Sequence, residues 1–206
     1  MEVTKTKSYT HLATGSDKVC FMFSGVAYTY DKPLFYYATM IMLENKIDVI
    51  HIHYPFNAKK LLKQPFTAIA KTMIDDVGSV VTEVLHKKQY NEIIFLGKSI
   101  GTIPITGEFM KNDTFRAAKM ILLTPVLMFD EFFQTVIKSK HHGLLVIGNK
   151  DKNYKEEKIE KLNETNFDIT VIPQANHSLD IEGFDTTSSI SVLATVMKKL
   201  QHAIAD

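Results

Sequence analysis

The sequence predicts an α/β fold, a doubly wound and mostly parallel sheet of about six to seven strands with helices on both faces. Three observations lead there. Apolar runs of strand length recur along the chain, segments with helical period lie between them, and several runs are apolar at consecutive positions. A strand that is apolar at every residue is covered on both faces, as in a parallel sheet sandwiched by helices. Strand alternating with helix then gives parallel neighbours joined by crossovers.

In order, the strand candidates are VCFMF (19–23), VIHIHY (49–54), EIIFLG (92–97), MILLT (120–124), LLVIG (144–148) and a weaker DITVIP (168–173). Residues 2–14 are expected to add an antiparallel edge strand or hairpin. Asp31 is expected to cap a helix that begins at Pro33, with Leu34, Ala38, Ile41 and Met42 facing inward. Pro65 opens a second helix with Phe66, Ile69, Met73, Val77, Val80 and Val84 at spacings of three or four, and Gly78 is its weak point. The segment VLMFDEFFQTVIKSK reads as one helix between two strands. The last helix places Ile190, Leu193, Val196, Met197, Leu200 and Ile204 inward after the polar start Asp185-Thr186-Thr187. No repeat or linker interrupts this alternation, so residues 1–206 are read as a single domain.

Lys and Arg total 24 against 23 Asp and Glu, and no basic stripe stands out. A nucleic-acid partner is therefore not expected. The one cysteine, Cys20, excludes an internal disulfide and fits a reducing compartment. Its place inside VCFMF makes it a buried packing residue. The N-terminal residues lack the apolar core of a signal peptide, and no stretch reaches the roughly 20 apolar residues that span a bilayer. The expectation is a soluble, cytoplasmic protein with no membrane partner.

The stretch IIFLGKSIGT (93–102) admits two chemistries. As Gly97-Lys98-Ser99 it is the tail of a phosphate-binding loop. As Gly97-x-Ser99-x-Gly101 it is the turn that presents a nucleophilic serine. The phosphate loop needs a glycine five residues before Gly97, and that position is Glu92, whose charge repels phosphate; the residues between are strand. Asn149-Lys150-Asp151 resembles a guanine-specificity motif only superficially, because its aspartate falls one position early.

The nucleophile turn fits its surroundings. An apolar strand precedes Ser99 and the helix-compatible IGTIPITGEFMK follows it. Crowding admits only small residues at 97 and 101, and the strained serine stands clear of the backbone. A serine needs a base to take its proton during attack. The fold places that base on the loop after the last strand, where ITVIPQANHSL supplies His177. A carboxylate to orient the imidazole is expected after the preceding strand, where LLVIGNKDKNY supplies Asp151. The order Ser99, Asp151, His177 is that of the α/β-hydrolases. Asp130 is the alternative acid, one strand earlier; Ser178 and Lys98 read as rim residues, and Asp180 lies too close to His177 in sequence to orient it. His51 and His53 share one side of their strand, but two histidines without a third ligand make a poor metal site. His141-His142 reads as a polar turn.

These motifs resemble a small α/β-hydrolase of the lidless, dienelactone-hydrolase-like branch, from about residue 19 onward. FSGVAYTYDKPLFYYATMI (23–41) resembles the segment after the family's third strand, where a glycine begins the oxyanion loop. The chain has Ser24-Gly25 where many relatives have His-Gly or Pro-Gly. The resemblance implies an oxyanion hole made by the backbone N–H groups of Val26 and Ile100, no cofactor or metal, and a two-step acyl transfer. Tyr28, nearby, could touch a substrate. Only about eighteen residues separate Thr124 from Gly143, too few for a lid, so the site is expected to be open to small-molecule esters or thioesters with short or exposed acyl groups. The alternative is a binding protein that keeps the fold without activity.

Overall fold

The computed structural model describes residues 1–54, 63–183 and 185–205. Every apolar run forms a strand: β3 (Lys18–Phe23), β4 (Asp48–Ile52), β5 (Glu92–Lys98), β6 (Lys119–Leu123), β7 (Gly143–Gly148) and β8 (Phe167–Ile172). The described sheet has eight strands, not six or seven, because residues 2–14 supply both arms of a hairpin, β1 (Glu2–Lys5) and β2 (Tyr9–Ala13). Thr6 makes its turn, accepting the Tyr9 N–H on its hydroxyl while its own N–H donates to the Tyr9 carbonyl at 2.9 Å. The strand order is β1-β2-β4-β3-β5-β6-β7-β8, with β3 to β8 parallel and the hairpin antiparallel along one edge.

Alternate residues of the central strands point to opposite faces. Phe21, Phe23, Phe95, Leu122, Leu145 and Ile147 enter one core, and Cys20, Met22, Ile94, Leu96, Ile121 and Val146 the other. The consecutive apolar runs reflect this two-sided burial. Helices α1 (Pro33–Glu44) and α6 (Thr186–Ala205) cover the second face, while α2 (Phe66–Lys87), α4 (Asp130–Lys138) and α5 (Glu156–Leu162) cover the first. The crossover from β3 to β4 and that from β4 to β5 thus run on opposite faces. Between β3 and β5 the strand order reverses, and a crevice opens at their carboxyl ends. The short α3 (Thr102–Gly107) starts there.

Two helix expectations need correction. Lys32, not Asp31, is the residue before α1; Asp31 sits one position too early to reach the first amides, and its carboxylate takes the Thr29 hydroxyl instead. Ile190 is 61% exposed, because it lines an open hollow with Leu34, Leu179 and Leu193 instead of packing into the core. Asp185 does cap α6, accepting the Ser188 N–H at 2.9 Å. Gly78 leaves α2 unbroken. Cys20 is fully buried, and burial pushes its thiol up. No helix among the described residues is long and apolar enough to cross a membrane.

At the amino end of the parallel strands the buried Asp48 joins β4 to its surroundings. Its carboxylate accepts the Thr14 N–H and hydroxyl, each at 2.8 Å, Lys88 Nζ at 2.9 Å and the Tyr90 hydroxyl at 3.0 Å. Burial alone would raise this carboxyl, but the bonds from Lys88, Thr14 and Tyr90 outweigh it and hold it well below the usual range. Asp48→Asn is expected to lose about 2 kcal/mol of unfolding free energy at pH 7 in urea denaturation, the scale of hydrogen bonds to a charged group. A carboxyl lowered by folding stabilises fully above its unfolded value of about 4. The wild-type advantage should therefore fade as pH falls below about 4, and an advantage unchanged at pH 3 would refute this assignment.

Candidate active site

β5 ends at Lys98, and the chain turns at once into a 3-10 turn, Ser99–Gly101, that leads into α3. The glycines on either side of Ser99 are fixed by contact. A Cβ on Gly97 would lie 2.5 Å from the Gly101 carbonyl oxygen, and one on Gly101 only 2.0 Å from that of Phe23. Ser99 itself is left-handed, at φ +56°, a conformation that costs a non-glycine residue roughly 1–3 kcal/mol. Its carbonyl is taken by the Thr102 hydroxyl at 2.7 Å, which secures the turn. The Ser99 side chain is left standing in the crevice between β3 and β5.

Asp151 and His177 come from the loops after β7 and β8, and these loops are stitched together. The Asn149 amide donates to the Ile172 carbonyl at 3.0 Å, and the Lys150 amide to that of Ala175 at 2.9 Å. The Asn149 side chain accepts the Gln174 N–H at 2.7 Å. A Cβ on Gly148 would lie 2.0 Å from the Ala175 oxygen, so the approach requires glycine. Asn176 then closes a tight turn around His177, with its side chain accepting the amides of Ser178 and Asp180.

The result is a chain of two short hydrogen bonds. His177 Nδ1 lies 2.6 Å from Asp151 Oδ2, and His177 Nε2 lies 2.8 Å from Ser99 Oγ. A carboxylate only accepts, so Nδ1 carries the proton and Nε2 is left to accept the serine O–H. The Asp151 side chain is fully buried, whereas His177 is 33% exposed and faces the crevice. The other Asp151 oxygen accepts the Asn153 backbone N–H at 2.9 Å and its side-chain amide at 3.1 Å.

Gly25 brings the loop after β3 against the same turn: a Cβ there would lie 3.2 Å from Ser99 Cβ. Val26 and Ile100 line one hollow of about 430 Å³, together with Gly25, Tyr30, His53 and Tyr54. Among the described residues no turn, loop or side-chain acceptor takes the N–H of Val26 or of Ile100. A larger hollow of about 650 Å³ opens beyond the His177 turn, but Ser99, Asp151 and His177 do not line it. Those three do not line the smaller one either, but it reaches Ile100, the residue after Ser99.

Neither a protein-family model nor a curated protein sequence matches the chain. Solved structures do match in shape. An esterase from Pyrococcus furiosus superposes with a TM-score of 0.68 at 13% identity, over 97% of this chain and 93% of its own. A lidless α/β serine hydrolase from Xanthomonas campestris gives 0.69 at 12%, over 99% and 93%. The chain has the α/β-hydrolase fold. A dienelactone hydrolase from Anabaena variabilis gives 0.63 at 14% identity, over 95% and 91%. As in the lidless structure, the described residues show no lid in this hydrolase fold: the segment between β6 and β7 holds only α4.

The hydrolase fold also settles where the other candidates lie. Asp130 is 86% exposed on its side chain and pairs with Lys158, far from any role beside His177. His51 Nε2 is bonded to the Thr39 hydroxyl and His53 Nε2 to that of Thr10, each at 2.8 Å; burial pulls His51 down to about 4. His141 links Ser139 to the Phe115 carbonyl. The Tyr30 hydroxyl lies 2.7 Å from the carbonyls of both Met22 and Ile52, gives its one proton to one of them and accepts the Ser24 N–H, tying the oxyanion-loop segment to the sheet. Tyr28 packs its ring near Lys98 and accepts the Leu34 N–H, while Tyr36 and Tyr37 are about half exposed. Lys98 is no rim residue: it is 1% exposed. Asn153 was not singled out by sequence, although the Asp151-x-Asn153 spacing of a side-chain-to-backbone turn points to it.

Two glycine-to-alanine changes separate contact from propensity. Gly101→Ala is expected to cost about 3 kcal/mol or more, because the new methyl meets backbone that cannot move aside. Gly78→Ala, which meets nothing within 4 Å, is expected to gain up to about 1 kcal/mol in α2. Thermal unfolding of both variants checks the pair, and equal melting temperatures would contradict it.

Proposed function

We propose that the chain is a serine hydrolase that cleaves carboxylic esters or thioesters of small molecules. The observation that carries this reading is the unbroken run from Ser99 Oγ through His177 to the buried Asp151, with the serine on a strained turn. Ser99 Oγ attacks the substrate carbonyl carbon while His177 Nε2 takes its proton. The carbonyl oxygen becomes an oxyanion held by the Val26 and Ile100 N–H groups. As the intermediate collapses, His177 returns the proton to the departing alkoxide or thiolate and leaves an acyl-serine. Water, deprotonated by the same imidazole, repeats the sequence and releases the acid. Asp151 fixes the tautomer through its bond to Nδ1. The chemistry uses proton transfer and water alone, with no cofactor or metal.

The similarity to an esterase and to a dienelactone hydrolase supports this class of reaction. The single-helix connection between β6 and β7 favours a site open to short acyl groups or to an exposed ester on a larger molecule. In hydrolysis of p-nitrophenyl acetate, Ser99→Ala and His177→Ala are expected to lower kcat/KM by about 10⁴-fold or more, and Asp151→Asn by about 10⁴-fold. The wild-type kcat/KM should fall toward acid pH, because a protonated imidazole is no longer a base. Turnover by Ser99→Ala at the wild-type rate would sink the proposal. A folded wild type inert toward every short ester and thioester would instead favour a binding protein. Across p-nitrophenyl esters of increasing length, kcat/KM should be highest for the short acyl chains; a steep rise toward long chains would contradict an open site.

A further inference from the structure

The residue between Gly97 and Ser99 is left open by the G-x-S-x-G pattern, and here it is a lysine. Lysine is almost never fully buried unless its charge is partnered. Lys98 is 1% exposed, and its partners are specific: Nζ donates to the backbone carbonyl of His177 at 2.8 Å and to the Thr124 hydroxyl at 3.0 Å, and lies 4.5 Å from the centroid of the Tyr28 ring. An ammonium has three donors, and this one places two of them on different segments while its charge faces a ring on a third. Resting on the hydrolase reading above, we propose that Lys98 is a positioning residue, whose buried ammonium clamps the turn that carries His177 onto the strand that carries Ser99.

Geometry gives it that role rather than a chemical one. Its two hydrogen bonds run to a carbonyl and a hydroxyl, neither of them Ser99 Oγ, and its burial leaves Nζ closed to substrate. Thr124, which receives one bond, is itself left-handed at φ +44°, a genuine outlier for a β-branched residue. Strain is thus stored at the point where the clamp is anchored. The charged and titratable groups facing Lys98 are Asp151 after β7, Asp180 and His177 on the turn after β8, and Tyr28 after β3. Burial pushes the Tyr28 phenol up to about 12.

Burial also pulls the Lys98 ammonium down to about 8, against the carboxylates of Asp151 and Asp180, which raise it. A lysine lowered by folding costs stability at neutral pH. That cost is relieved as pH rises from about 8 toward the unfolded value of about 10.4. For stability alone an apolar side chain of similar volume would serve as well or better. Loss of the charge should also weaken the clamp, because charge-assisted bonds become neutral ones.

The test pairs stability with reactivity in Lys98→Met. Its thermal midpoint at pH 7 is expected to equal or exceed that of wild type, while labelling of Ser99 by a fluorophosphonate slows at least tenfold. The wild-type labelling rate should fall above pH 8, and the Lys98→Met rate, slow throughout, should lack that fall. The downfield proton resonance of His177 Nδ1–H, sharp in wild type, should broaden or vanish in the variant. Wild-type labelling rate, alkaline profile and resonance in a folded Lys98→Met would overturn the proposal. If Lys98→Met does not fold, Thr124→Val removes one anchor and is expected to slow labelling several-fold; an unchanged rate there would equally overturn it. If folded wild type does not label at all, the hydrolase reading fails separately, and the resonance decides the clamp: persistence in the variant refutes it, loss supports it.

Discussion

The rest of the structure depends on how closely backbones approach one another at the carboxyl ends of the strands. Gly101 sits where a methyl group would overlap the Phe23 carbonyl, and Gly148 where it would overlap that of Ala175. The first contact presses the turn after β5 against the end of β3, which sets Ser99 beside Gly25 and Val26. The second presses the loop after β7 against the loop after β8, which sets Asp151 beside His177. Backbone contacts of this kind have no side-chain slack. They convert the regular spacing of a parallel sheet into fixed distances between residues far apart in sequence.

Each end of the sheet also buries a charge, and the two are treated differently. Asp48, at the amino ends, is met by enough donors to stay ionised far below the usual carboxylate range, and it joins the edge hairpin to the start of β4 and β5. Lys98, at the carboxyl ends, has fewer partners than its desolvation demands and is pulled toward neutrality. The first arrangement stabilises. The second sacrifices stability beside the reactive groups, as strained or desolvated residues near catalytic sites often do. Between the two ends lies an aromatic core in which Phe95 stacks on Phe109 at 4.5 Å and meets Phe115 edge-on, giving the strands a rigid base.

Much of this was legible in sequence for physical reasons. Strands buried on both faces announce themselves as consecutive apolar residues, and the placements of Ser99, Asp151 and His177 follow from which loops must meet at the ends of neighbouring strands. What escaped was set by contacts between distant segments. Asp31 has the chemistry of a helix cap but sits one residue early, and only the local trace reveals it. Lys98 reads as a surface lysine because its partners, Thr124 and the His177 carbonyl, lie 26 and 79 residues away. The edge hairpin of residues 2–14 was expected, but β1 is exposed throughout, so no apolar pattern settled whether one strand or two would form.

The central claim is that Ser99 is made nucleophilic by the fold and not by its own chemistry. Intact-mass and peptide-mapping measurements after exposure to a dialkyl fluorophosphate, in buffer and in concentrated urea, test it directly. The account requires one dialkylphosphoryl group per folded chain, attached to Ser99, and none on the unfolded chain. A folded chain that remains unmodified, or one that carries the adduct on another side chain, would contradict it.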